Sequence, residues 1–484
     1  MRVLTLTAIV SLLCACGAVS NSTPLDKAES TAQTFEGPVP RAVCGPGSQP
    51  ELGAQGRVAR AEVESGRSKE GYWCNLEPVG REGDGALWQM AWYEDCAYYG
   101  LGVAFAQGNT AGQVPGQPAK VPGGGVAVVK VTDPAAPERT ATLTTPAMLD
   151  PWESLKVNER RGLLAGSAVS IEGSAFDVYD VKKGLATDCS QPVLLGSTDN
   201  GMGHEGEWSP DGLTYWSSGF IVASTSALDL TVPQAPHVIA TINDGIHGLS
   251  LNEEGTRLYA AEHSRSGAGE QDENLEEGVS TNGLEIWDTS AIQTRATGVS
   301  TAAAPAKVVG SVYWDDGAVA QMTIPVVIQG KPYVIFIDEG GKGDPQSPGM
   351  ARIIDVSDET HPVVVSKLKN EINMLDHADQ READGGASGF TYQGHYCGVP
   401  QRIEPGVVAC SYFWQGIRVF DIRDPHHPKE IAYIIPPLDE NDDGRAHTSS
   451  QIRFVPERGE IWFTNQNTGF HVARFTNGVW PFPN

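Results

Sequence analysis

The sequence predicts an all-β protein: a seven-bladed β-propeller of four-stranded antiparallel blades, its ring closed by an N-terminal strand. Three observations predict it. A strand-and-turn signature recurs seven times, and a second alternating strand precedes most of the copies. The copies also follow one another every 49 to 67 residues, the length of a four-stranded blade rather than of a β-helix turn.

The signature is clearest in "GIRVFDIRDPHHP" (416–428) and "MARIIDVSDETHP" (350–362). β-Branched residues alternate up to an acidic residue, and a turn closed by proline follows. Looser copies are "GGVAVVKVTDPAAP" (124–137), "SAFDVYDVKKG" (174–184), "STSALDLTVPQAP" (224–236), "GLEIWDTSA" (283–291) and "GFHVARFTNG" (469–478). The aligned acidic position holds Lys130, Asp180, Asp229, Asp288, Asp355, Asp421 and Arg474. An aspartate at a strand end is expected to accept hydrogen bonds from the backbone of the turn after it.

The upstream unit is a glycine turn and an alternating strand, as in "WSPDGLTYWSS" (208–218), "LNEEGTRLYAAE" (251–262), "IQGKPYVIFID" (328–338) and "VPERGEIWFTN" (455–465). A fourth strand follows the proline turn, as in "VVVSKLK" (363–369) and "KEIAYIIP" (429–436). Only ten residues follow Arg474, too few for a last outer strand. An N-terminal segment within 54 to 66 is expected to supply it; the alternative is a six-bladed core with a divergent end.

The N-terminus reads as an export signal. Met1-Arg2 is followed by an apolar run to Leu13, too short to span a bilayer. Leu13 and Ala15 stand at −3 and −1 to Cys16, as in a bacterial lipoprotein signal, although Cys14 departs from the usual small residue. The expected organisation is a signal over 1–15, lipidation at Cys16, a flexible tether over 16–40 and one propeller domain over 41–484. No other segment is long and apolar enough for a transmembrane helix. The net charge of −26 argues against nucleic acid as a main partner.

The repeated G-x-x-h-h-D-h-x-D-x-x-x-P pattern on an exported chain resembles the LVIVD-repeat family of bacterial surface propellers. The resemblance covers most of 85–484. It implies the propeller fold and a surface or secreted location, with adhesion or binding as the general role and little chemistry.

Six cysteines remain after the lipidated one, an even number that suits disulfides in an exported protein. Cys397 and Cys410 flank a predicted hairpin and are expected to pair. Cys74–Cys96 is the next expectation, which leaves Cys44 to Cys189.

The inner strands carry the candidate site. Aligned on the turn that follows each, Glu153, His204, His247 and His395 occupy one position in four blades, with Met322 and Gln451 at that position in two others. In a propeller the first strand lines the central channel, so these side chains form a ring at one height. Imidazole with carboxylate suits Cu, Fe, Mn or Zn. Channel histidines also serve simply to bond neighbouring backbone, and both readings stand at this point. His377 and His447 fall on loops expected at the same face, as candidate acid and base or further ligands. Asp439, Asn441 and Asp443 begin a calcium-loop pattern that lacks its twelfth-position glutamate.

Other catalytic patterns are missing: the chain has no G-x-S-x-G and no H-E-x-x-H. Two functions follow. One is a lipid-anchored surface binding or scaffolding protein with a protein or polysaccharide partner on a propeller face, in the outer membrane, periplasm or cell surface. The other is a metal-dependent oxidoreductase or lyase with its site at the channel mouth.

Overall fold

A computed structural model describes residues 33–86, 88–101, 124–168, 175–184, 186, 188–220, 224–262, 282–295, 306–317, 319–340, 348–386, 390–440 and 442–480. Residues 34–484 form one compact unit. The expected signal segment and Cys16 lie outside the described residues.

Seven antiparallel sheets follow one another along the chain. Blade 1 spans Met90–Tyr93 to Glu138–Leu143, blade 2 Lys156–Asn158 to Val193–Thr198, and blade 3 Gly206–Trp208 to His237–Ile242. Blade 4 spans Leu249–Leu251 to Lys307–Tyr313, blade 5 Ala320–Ile328 to Val363–Leu368, and blade 6 Cys397–Gly398 to Lys429–Ile435. Blade 7 takes its three inner strands from Arg453–Val455, Glu460–Asn465 and Gly469–Phe475.

The seventh blade is completed from the N-terminus, but by Leu76–Glu82 rather than by a segment within 54–66. This strand pairs antiparallel with Gly469–Phe475, from Leu76 opposite Phe475 to Glu82 opposite Phe470. Residues 54–66 instead hold a short helix, Arg60–Glu64, whose amphipathic turn cannot pair as a strand. Just before the closing strand, Tyr72–Cys74 adds a fifth strand to blade 6. Asn75 joins the two at φ +55°, a left-handed conformation that asparagine tolerates. Its side chain bonds the carbonyls of Val43 and Ile431 and the N–H of Gly45.

The end of the expected tether, from Phe35 on, packs on the propeller. Phe35 bridges Ser366 on the outer strand of blade 5, and the Val39 N–H donates to Lys369 O at 2.8 Å. Val39 and Phe35 are apolar enough to be drawn onto that sheet, and Val39 is buried.

Seven of the apolar clusters lie between blades, one at each junction, the last joining blade 7 to blade 1, and two more lie under the N-terminal segment and around Trp88. Both faces of every sheet are therefore covered, which is why buried runs such as Val407–Tyr412 need no polar alternation. The signature aspartates do what the repeat pattern predicts. Asp180, Asp229, Asp288, Asp355 and Asp421 each accept the N–H two residues on, at 2.8 to 3.1 Å. In the last copy Arg474 binds Glu460 at 2.8 Å instead.

Cys397–Cys410 forms as expected, across directly paired strands. The other two pairings differ from expectation. Cys44 joins Cys74, because the Gln49–Trp73 bridge folds the N-terminal segment back beside Tyr72–Cys74. Cys96 joins Cys189, because the turn before blade 2's outer strand leans on blade 1, where the Tyr98 hydroxyl donates to Cys189 O.

Two predictions follow from this architecture. The Cys96–Cys189 bridge ties two blades across 93 residues. Changing both cysteines to Ser should lower stability by about 3–5 kcal/mol, read from the denaturant midpoint under oxidising conditions. Burial pushes His471 in blade 7 down to about 3. An unfolded histidine titrates near 6.5, so between these values the unfolded chain holds the extra proton. Stability should fall as pH falls through that window, by up to about 1.4 kcal/mol per pH unit from this residue. His471→Gln should flatten the slope of unfolding free energy against pH.

Candidate metal centre

The connection from the outer strand of one blade to the inner strand of the next ends at the same channel mouth in every blade. Glu153, His204, His247 and His395 sit two or three residues before the inner strands of blades 2, 3, 4 and 6. Three of them are held by one repeated backbone bond. The N–H groups of His204, His247 and His395 donate to the carbonyls of Ser218, Ala261 and Ser411 at 3.0 to 3.1 Å. Glu153 N–H donates to His204 O at 3.2 Å, so neighbouring blades lock this height together.

The four predicted side chains converge. His204 Nε2 lies 2.9 Å and His247 Nε2 3.6 Å from Glu153 Oε2. His395 Nε2 lies 2.9 Å from the other oxygen, Oε1. Gln321 Nε2 donates to Oε2 at 3.0 Å and lies 3.4 Å from His395 Nε2. All five side chains are buried. Glu153, His204 and His247 offer ligand atoms within 4.8 Å of one another, while His395 approaches the same carboxylate from its second oxygen.

Blade 5 contributes Gln321 rather than Met322. A bulge between Ala320 and Met322 shifts the register by one residue and turns the glutamine to the ring. Blade 1 contributes Trp88, and Gln451 of blade 7 lines the channel instead. His447 accepts the Trp414 indole N–H at 3.3 Å, at the edge of the site. His377 ends the short turn Leu375–His377 beside Glu371 and makes no contact with the cluster among the described residues. Asp439 binds Arg81, and Asp443 accepts the Arg445 N–H. Asn441 lies outside the described residues.

Backbone carbonyls fix two of the imidazoles. His247 Nδ1 lies 2.7 Å from Ala320 O, and His395 Nδ1 bonds Ser449 O. A carbonyl can only accept, so each Nδ1 carries hydrogen and each Nε2 is left to face Glu153. For a neutral imidazole that points a lone pair at a carboxylate, which only a proton or a metal ion can reconcile.

Burial works against the charge on Glu153, but the His204 imidazole and the hydrogen bonds from all three histidines hold its carboxyl well below the usual range. Burial also opposes charge on His395, yet its contact with Glu153 raises it. His247, with the longer contact, is pushed down by burial. Without an ion the Glu153 carboxylate is therefore held by two contacts of 2.9 Å, one from His204 and one from His395. Two further acids flank it. Glu205 is buried and pushed up to about 8. Glu339 keeps some exposed surface, but it lies deep in the protein and burial pushes it up to about 8 as well.

Aromatic rings wall the cluster. Trp152 lies 5.5 Å and Phe220 5.0 Å from the His204 ring, Phe220 stacks on His247 at 4.2 Å, and Trp88 and Phe413 lie 5.3 and 5.1 Å from His395. Phe390 packs on Trp88 at 5.3 Å. Trp152, Phe390 and Phe413 have φ of +45°, +62° and +23°, conformations that bulky residues avoid.

Glu153→Gln should remove the carboxylate in contact with His395. In metal-free protein the expected loss is about 3–5 kcal/mol at neutral pH, measured by chemical unfolding. The folded carboxyl titrates below its ordinary 4.5, so the contribution is complete above that value and is lost as pH falls through the lowered one. Variant and wild-type stabilities should converge there.

No family model matches the chain, and no curated protein matches it. Among solved structures it is similar to hydrazine synthase of Kuenenia stuttgartiensis (11% identity, 81% of this chain and 97% of that chain, TM-score 0.49). It is also similar to the WD40 domain of Toxoplasma gondii coronin (10%, 90% and 90%, TM-score 0.48). A third is the β-propeller domain of Cps50 (Swd1) of Myceliophteria thermophila (10%, 82% and 99%, TM-score 0.46). At these levels none transfers a ligand or an activity.

Proposed function

We propose that this chain is an exported propeller metalloprotein, with one transition-metal ion held at the channel mouth by Glu153, His204 and His247 and with His395 as a further ligand or as partner to Glu153. The observation that carries the reading is the tautomer imposed on His247 and His395. Each has Nδ1 tied to a backbone carbonyl and Nε2 turned on one buried carboxylate, the arrangement by which proteins orient metal-binding imidazoles. Nitrogen and oxygen donors of this kind suit Cu, Fe, Mn or Zn. Such an ion supplies Lewis-acid or redox chemistry, so the activity is of oxidoreductase or lyase type. This chain's own part is to fix the donors, to exclude water with the aromatic wall, and to hold protons on Glu205 and Glu339 at neutral pH. Three aromatic residues at positive φ support a functional site, since such strain gathers where geometry is selected for chemistry.

A second reading keeps support from the contacts of Glu153 with His204 and His395, which satisfy the carboxylate without an ion. The ring is then a polar plug, and the protein is a surface binding module of LVIVD-repeat type. The Leu13-Cys14-Ala15-Cys16 segment supports lipid anchoring in either case.

Elemental analysis separates the two. Protein purified without chelator should carry about one transition-metal ion per chain, and the variant with His204, His247 and His395 changed to Ala should carry none while keeping its β-sheet circular dichroism. If wild type stays empty after reconstitution with each of the four metals, the polar-plug reading stands.

A further inference from the structure

Gln321 reaches the cluster by a device that the other blades lack. The bulge between Ala320 and Met322 adds a residue to blade 5 and turns the Gln321 side chain to the ring, where it is fully buried. Its backbone is held against a candidate ligand on both sides. His247 Nδ1 donates to the carbonyl of Ala320, the residue before it, at 2.7 Å. A Cβ on Gly248, the residue after His247, would stand 1.9 Å from Gln321 O. Glycine is therefore required there for blade 5 to come this close to blade 4.

The amide faces the cluster with its donor end. Nε2 donates to Glu153 Oε2 at 3.0 Å and lies 3.4 Å from His395 Nε2. The other end, Oε1, is buried and accepts no hydrogen bond among the described residues. Without an ion this orientation serves the Glu153 carboxylate. An ion among Glu153 Oε2, His204 Nε2 and His247 Nε2 reverses the demand. The N–H groups would then point at a positive charge, whereas the amide oxygen is a hard donor that suits one. The two ends of the amide have the same shape, so a half-turn of the group exchanges them and leaves the backbone in place. We propose that Gln321 turns its amide over when the site is loaded and binds the ion through Oε1, as the ligand from blade 5. The inference rests on the metalloprotein reading above and extends it to a residue that, in ion-free protein, only donates to Glu153.

The test is a crystal structure of the wild-type chain loaded in turn with Zn(II), Mn(II), Fe(II) and Cu(II), beside metal titrations of wild type and Gln321→Leu. In the loaded structure one end of the Gln321 amide should stand about 2.2 Å from the ion, the length of a metal–oxygen bond. Gln321→Leu should weaken binding of the same metal by about tenfold or more. Loss of a group that merely positions Glu153 could weaken binding as much, so the wild-type structure decides, and it does so even if the variant fails to fold. The proposal is overturned, with the metal reading intact, if wild type holds an ion while both ends of the amide stay at hydrogen-bond distance or farther from it. It is overturned equally if folded Gln321→Leu binds the metal as tightly as wild type. If none of the four metals enters the wild-type site, the metal reading fails and this inference fails with it.

Discussion

Closure of the ring is the constraint on which everything else in this protein depends. A propeller blade buries both faces only if it has a neighbour on each side. Seven inter-blade clusters exist because Leu76–Glu82 returns to blade 7 and ties the end of the chain to its beginning. The chain reinforces that junction in sequence: the Cys44–Cys74 bridge, the added strand on blade 6 and the Asn75 corner come immediately before the closing strand. Radial repetition leaves only short outer edges, and here the N-terminal segment covers three of them, on blades 5, 6 and 7.

The closed ring also sets the electrostatics of the channel mouth. Side chains from non-adjacent blades reach one carboxylate because closure fixes the channel radius. Glu153 is far from His395 in sequence, yet their contact is 2.9 Å. Burial makes each charge costly when alone and each contact strong when made. The same environment therefore depresses Glu153, raises His395 and keeps Glu205 protonated. The aromatic wall intensifies this by keeping water from the imidazoles, and its strained backbones are tolerated because the surrounding blades hold them on every side.

The sequence made most of this legible, and for a physical reason. Repeats expose a pattern that a single blade would hide: an Asp before a turn is unremarkable once, but five aligned copies define a blade. Equivalence between blades then located Glu153, His204, His247 and His395 without any contact information. What stayed illegible was whatever breaks the repeat. The bulge that substitutes Gln321 for Met322 has no sequence mark, and neither do Glu205, Glu339 and Tyr396, whose roles come from depth. The closing strand was expected from the short C-terminus, but its location was not, because Leu76–Glu82 with its proline and glycine looks unlike a strand. The cysteine pairings away from the hairpin depended on packing between distant segments.

The position that forms the ring is free of duties to the fold. What the scaffold needs there is a backbone bond to the neighbouring strand, and Glu153, His204, His247 and His395 all satisfy it or its inter-blade equivalent through main-chain atoms. Side-chain identity at that height is therefore open to chemistry. The chain uses the freedom unevenly: polar donors face Glu153 from blades 3, 4, 5 and 6, while blade 1 supplies the Trp88 ring. A ring serving only to fill the channel would gain from apolar residues, which carry no desolvation cost. Placing a carboxylate, three imidazoles and an amide in one buried space is the expensive choice, and it is understandable where those groups have an ion to hold.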